Sequence, residues 1–148
     1  MAGLPQKKPH QRKPLLAGVS KLSAAQIDPH EKIVFSFRHF DPAQGQTFGE
    51  WAEAGLLVDL LEKFRHYSNS SFDEAKSDKF KVYGPLTPET WPSGSEFKHP
   101  NHVPPDAQWA CMHVKGMECV IGHRLKNVFC VVFLDRYHKF WPSELKNT

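Results

Sequence analysis

The longest apolar run in the chain, Val128 to Leu134, carries hydrophobic side chains at successive positions, the pattern of a strand buried on both faces. It predicts an interior strand of a sheet. Residues 32–40, KIVFSFRHF, alternate instead, with Ile33, Phe35, Phe37 and His39 on one side and Val34, Ser36, Arg38 and Phe40 on the other. That period predicts a half-buried first strand, closed by Asp41, Pro42 and Gly45. Thr47-Phe-Gly-Glu50 has capping-box spacing, and behind it Trp51, Ala54, Leu57, Val58, Leu61 and Phe64 recur at three- and four-residue steps. One amphipathic helix running to about Ser68 is expected, with Glu53, Asp59, Glu62, Lys63, Arg65 and His66 on its solvated faces. A second box, Ser71-Phe-Asp-Glu74, opens a shorter helix to about Asp78.

The second half reads as three strands and a long connection. WACMHVK (109–115) turns at Lys115-Gly116 into 118–125, and Lys126-Asn127 turns again into the apolar run, which makes an antiparallel meander. Residues 80–108 hold Pro85, Pro88, Pro92, Pro100, Pro104 and Pro105, so they predict a long loop. Trp91, Phe97 and Trp109 are too many large rings for a plain linker, and this loop is expected to pack across the domain. The fold class is a single α+β domain over residues 31–142. It has an antiparallel sheet of about four strands, with one long and one short helix on one face.

Composition adds a boundary at the amino-terminal side. Lys7, Lys8, Arg12, Lys13 and Lys21 face a single acid, Asp28, so residues 1–30 carry +4 and the other 118 residues carry −1 of the total +3. With Pro5, Pro9, Pro14 and Pro29 this stretch reads as a basic, flexible arm able to gain affinity from phosphates. Leu15, Leu16, Val19 and Leu22 have near-helical spacing, which would let part of it dock. Residues 143–148 form a short tail. No apolar stretch approaches the roughly 18 to 20 residues of a membrane span, and no signal-peptide core is present, so a soluble cytoplasmic protein is expected.

Cys111, Cys119 and Cys130 all fall in predicted strands without a CxxC pair, which argues for a reducing compartment over a disulfide framework. Cys111, His113, Cys119 and His123 could meet across a hairpin as a zinc set, but their spread along strands favours small core cysteines, and no metal or cofactor is expected. Candidate chemistry concentrates in Asp135-Arg-Tyr-His-Lys-Phe-Trp141, where the apolar run leaves the core. His138 suits a general acid or base, and Arg124 or Lys139 a phosphate contact. Asp135 and His138 cooperate only if Arg136-Tyr137 forms a turn, because positions three apart on a straight strand point to opposite faces. Tyr137, Phe140 and Trp141, interleaved with Arg136 and Lys139, suit base stacking and equally suit a protein interface. His99 and His102 bring two further imidazoles into the proline-rich loop.

A strand, two helices and a meander in a small basic chain resemble the RelE-type toxin fold, over about residues 32–141. Separately, VFCVVFLDRYHKFWP is similar to the carboxy-terminal FxxxFLDxxHxxYP-like block of small uncharacterised prokaryotic proteins. The toxin resemblance implies a sheet face that meets RNA, and a loose catalytic set of basic and aromatic side chains. By position these are Arg124, Tyr137, His138 and Lys139, with His123 nearby. The expectation is therefore a small prokaryotic toxin-like effector acting on RNA or the translation machinery, a candidate metal-independent endoribonuclease, with an antitoxin or an inhibited target as the candidate protein partner. Lys7, Lys8, Arg12, Lys13, Arg136, Trp91 and Trp141 are the expected binding residues. Two alternatives stand beside it: an inhibitor that uses the same aromatic patch and the proline-rich loop to occlude a protein partner, as a phage- or plasmid-borne antagonist does, and a plain nucleic-acid-binding module that relies on the 1–30 arm.

Overall fold

A computed structural model describes residue 3 and residues 30–142. The basic arm, with Lys7, Lys8, Arg12 and Lys13, and the tail at 143–148 lie outside the described residues. The chain is an α+β domain with a five-stranded mixed sheet. In chain order the elements are β1 (Val34–Ser36), α1 (Phe48–Glu53), α2 (Leu57–Tyr67), α3 (Phe72–Ala75), β2 (Phe80–Pro85), β3 (Gln108–Lys115), β4 (Glu118–Leu125) and β5 (Val128–Asp135). The sheet order is β1-β5-β4-β3-β2, with β1 parallel to β5 and the other pairs antiparallel.

All eight residues of β5 are buried, as an unbroken apolar run requires when another layer covers each face. The first layer is helical. Both capping boxes form: Thr47 and Ser71 each accept from the third amide of their helix while Glu50 and Glu74 reach back to the cap. Trp51, Leu60, Phe64, Tyr67 and Phe72 pack from the helices on Ala110, Met112, Val120, Phe129 and Val131 of the sheet. The second layer is the connection 86–107. Its Leu86, Phe97, Val103 and Ala107 join Trp109, Cys111, Cys119, Ile121, Phe133 and Phe140 on the opposite face. Each large side chain so buried contributes about 1.5–3 kcal/mol.

Three sequence expectations need correction. The single helix over 47–68 is two, because Gly55 at φ +75° closes α1 in a Schellman turn, with Leu56 N–H donating to the Trp51 carbonyl and Gly55 N–H to that of Ala52. The long loop begins at residue 86, since Phe80–Pro85 pairs with β3 as an edge strand and Pro85 stands at its end. The first strand is only three residues, because the chain turns at 37–40 with Phe40 N–H donating to the Phe37 carbonyl, which leaves Phe37 half exposed.

Candidate functional site

Strand parity places Trp109, Cys111 and His113 of β3 on the loop-covered face. Register puts His113 opposite Cys119 and Cys119 opposite Asp135, so the cysteines, His113 and Asp135 gather at one end of that face. Asp135 is the hinge of this end. It is buried, and its carboxylate accepts hydrogen bonds from the backbone N–H groups of Lys139 and Phe140, both at 2.8 Å. Gln46 adds a second tie, accepting from Arg136 N–H at 2.6 Å and from the Trp51 indole at 3.1 Å. The chain therefore folds back after β5, Phe140 enters the core, and His138 comes to lie 5.8 Å from His113 between ring centroids. Asp135 thus acts on the backbone around His138 and makes no bond to its ring.

His138 is held against its local preferences. Its φ is +57°, a left-handed conformation that costs an L-residue roughly 1–2 kcal/mol. Its Nδ1 is buried with no partner, a further penalty of about 1–3 kcal/mol. Features of this kind concentrate where geometry serves a task other than stability.

His113 and His138 line an open groove of about 530 Å³ together with Lys81, Tyr83, Ser93, Trp141 and Pro142. Tyr83 and Trp141 pack against each other along its wall, tilted by 32° with centroids 4.7 Å apart. A depression of about 440 Å³ shares Lys81 and His113 and adds Lys63, Lys79 and Lys115. Among the described residues no acidic side chain lines either cavity, although Lys115 also meets Asp59 at 3.9 Å from outside. The Cys111 sulfur beside His113 raises the imidazole above its ordinary range, overriding the opposing effect of burial. Cys119 in turn draws the Cys111 thiol down, while Cys111 and burial push the Cys119 thiol up, and Cys119 Sγ stands within donating distance of the Asp135 carbonyl and carboxylate.

The sequence-derived set divides across this frame. His138 and Trp141 lie in the groove. Tyr137 and Lys139 face a separate depression with Gln44, Gln46 and Glu96, and Arg136 stacks its guanidinium 5.4 Å from the Tyr137 ring. Arg124 stands at the far end of β4 on the helical face, where its guanidinium lies 4.5 Å from the Phe72 ring and its Nε donates to the Lys126 carbonyl at 2.7 Å. It does not reach His138. Trp91 packs on Trp109 and Phe140 beneath the loop and donates its indole N–H to the Phe97 carbonyl. His113, Lys81 and Tyr83 were missed as partners of His138. The alternation of Phe80 and Val82 with Lys81 and Tyr83 was a strand signal, masked by the prolines that follow.

The four residues considered as a zinc set are separated. Cys111, His113 and Cys119 stay at the groove end, while His123 lies four positions along β4, about 13 Å away. There His123 joins His39 and Cys130, the described residues whose ligand atoms converge closely enough to hold a metal, within 4.8 Å of one another. His99 and His102 approach this second cluster and not His138. No family model matches the chain, and no curated protein and no solved structure shows significant similarity to it. No helix among the described residues is long and apolar enough to cross a membrane.

Proposed function

We propose that the groove binds single-stranded RNA and cleaves it without a metal, in a cytosolic, toxin-like protein whose natural substrate is RNA, free or on the ribosome. The observation that carries this reading is the His113–His138 pair set among lysines, with no acidic side chain among the described lining residues. His138 takes the proton of a ribose 2′-hydroxyl, and the freed oxygen attacks the adjacent phosphorus. The bond from phosphorus to the 5′-oxygen breaks, and His113 returns a proton to that oxygen, leaving a 2′,3′-cyclic phosphate and a 5′-hydroxyl. The raised proton affinity of His113 suits it to the acid role at neutral pH. Lys81, shared by both cavities, offsets charge on the crowded phosphate, and the Tyr83–Trp141 pair offers a stacking surface for an unpaired base. Lys79, Lys63 and, outside the described residues, Lys7, Lys8, Arg12 and Lys13 supply further phosphate contacts.

The test uses short single-stranded RNAs and a translating extract, with wild type beside His138→Gly and His113→Gln. Glycine adopts positive φ without strain, so His138→Gly removes the imidazole and keeps the turn. Wild type is expected to leave cyclic phosphate ends, with each variant slower by roughly 10²–10⁴-fold and melting within a few degrees of it. Intact RNA in both settings with folded wild-type protein overturns this function. A second reading, occlusion of a protein partner, draws on Val58 and Leu61, which stand 71% and 56% exposed on α2. Loss of a specific co-purifying protein on Val58→Asp, with RNA left intact throughout, would favour it.

A further inference from the structure

The far end of the loop-covered face carries a different chemistry. His39 comes from the turn after β1, His123 from β4 and Cys130 from β5, directly opposite His123 in the ladder. The turn after β1 and the β4–β5 hairpin, distant from it in sequence, thus deliver two imidazoles and a thiol to one point. His39 Nδ1 and His123 Nε2 are 2.8 Å apart, with the rings stacked at 5.0 Å. His123 and Cys130 are 3% and 2% exposed, and His39 is half-buried at the surface. His102 closes the open side, its ring 6.1 Å from that of His39 and its Nε2 within 2.8 Å of the His39 carbonyl. His99 lies over Trp109 with a buried Nε2 that has no partner.

We propose that His39 Nδ1, His123 Nε2 and Cys130 Sγ bind a zinc-class transition-metal ion as three of its ligands. Nitrogen and thiolate donors select ions of borderline softness over magnesium or calcium, which take oxygen. Zinc bonds of roughly 2.0–2.1 Å to nitrogen and 2.3 Å to sulfur need donor atoms about 3.3–3.6 Å apart. The imidazole pair therefore opens by about 0.5 Å and the sulfur closes by at most about 1.2 Å, small movements for a site whose His39 side chain is half-buried. On binding, the proton between the two imidazoles shifts to a distal ring nitrogen, and the Cys130 thiol releases its proton to solvent. The ion ties the turn after β1 to the interior strands β4 and β5, so its effect falls on stability. This site shares no residue with the groove.

The test is titration of the reduced full chain with Co²⁺, followed by Zn²⁺ competition and thermal melting. One equivalent of Co²⁺ is expected to give a thiolate-to-cobalt charge-transfer band that Zn²⁺ abolishes. Zn²⁺ at a hundredfold excess over Kd is expected to raise Tm by roughly 5 °C or more. Cys130→Ser should lose the band. His39→Ala, a change near the surface, should weaken Zn²⁺ binding at least about tenfold, and Cys111→Ser should leave both readouts intact. Absence of any cobalt band in folded wild type overturns the site. So does a band that survives Cys130→Ser and disappears in Cys111→Ser, which moves the ion to the groove end. Should Cys130→Ser fail to fold, an undiminished Zn²⁺ shift in His39→Ala overturns it equally.

Discussion

The two ends of the loop-covered face hold the same residue types in opposite settings. At one end His113 and His138 stand in an open groove with Lys63, Lys79, Lys81 and Lys115 at hand. At the other His123 is sealed beside Cys130, with His39 against it and no lysine in the group. The proton affinities diverge accordingly. His113 is raised by the Cys111 sulfur, whereas His123 is pushed down to about 4, first by burial and then by His39, His99 and His102. A histidine whose proton affinity is raised among lysines is suited to acid–base work, and one whose affinity is lowered beside a thiol is suited to donate a lone pair. Solvation and neighbours decide which, and residue type does not.

The change expected to break both ends at once is Gly122→Ala. Gly122 sits at the register shift between β4 and β5, where an added Cβ would run into the Cys130 carbonyl and come within 2.8 Å of the Phe129 ring. We expect a loss above about 3 kcal/mol in urea unfolding, with cobalt binding and RNA cleavage lost together. A wild-type midpoint would show that the bulge tolerates a methyl group.

Asp135→Ala should break one end only. Hydrogen bonds to a charged acceptor are worth about 1.5–3 kcal/mol each, and two are removed from the turn that carries His138. We expect about 3 kcal/mol less stability and at least tenfold slower cleavage, while Co²⁺ still binds at Cys130. Rescue of the rate by Asp135→Asn, which keeps one acceptor oxygen, marks Asp135 as a positioning residue. Loss of cobalt binding alongside cleavage would show that the ends are not independent.

The contrast in proton affinity is sharpened by NMR titration of the chelator-treated protein. The His113 ring should titrate above the ordinary 6.5 and that of His123 near 4. Raised in the fold, His113 contributes stability that is complete below 6.5 and disappears as pH rises through its folded value. Lowered in the fold, His123 contributes stability present above 6.5, which is lost as pH falls toward 4. Cleavage should fall on the alkaline side as His113 deprotonates. Coincident titration of the two rings would remove the distinction between the ends. The smallest effect belongs to Lys81→Ala, expected to lower the slope of log affinity against log salt by about 1 for single-stranded RNA while leaving Co²⁺ binding unchanged.

Much of the fold was legible because it rests on local pattern. The β5 run, both capping boxes and the turns at Gly116 and Lys126 follow from side-chain periodicity and backbone preference, and each formed within a residue or two of its expected place. The candidate site was half legible. His138 and Trp141 lie in the groove, but their partners come from β2 and β3, and Arg124 went to the helical face. A shift of one residue reverses which face a strand side chain occupies. The bulges at Val82/Gly84, His113/Lys115 and Ile121/Gly122 each make such a shift, and none leaves a mark in composition.

The sequence by itself determined that Val128 to Leu134 would be interior, that two boxed helices would open at Thr47 and Ser71, and that Asp135 would end a strand, since these depend on neighbours within a few residues. Only the tertiary structure decided that the Asp135 carboxylate would grip the 139 and 140 amides, that His138 would meet His113, and that His39 and His123 would come within 2.8 Å across 84 residues of chain. Those contacts depend on strand register and loop closure. They are set by how the loop and the helices bury the two faces of one sheet, a global balance of packing that no local pattern encodes.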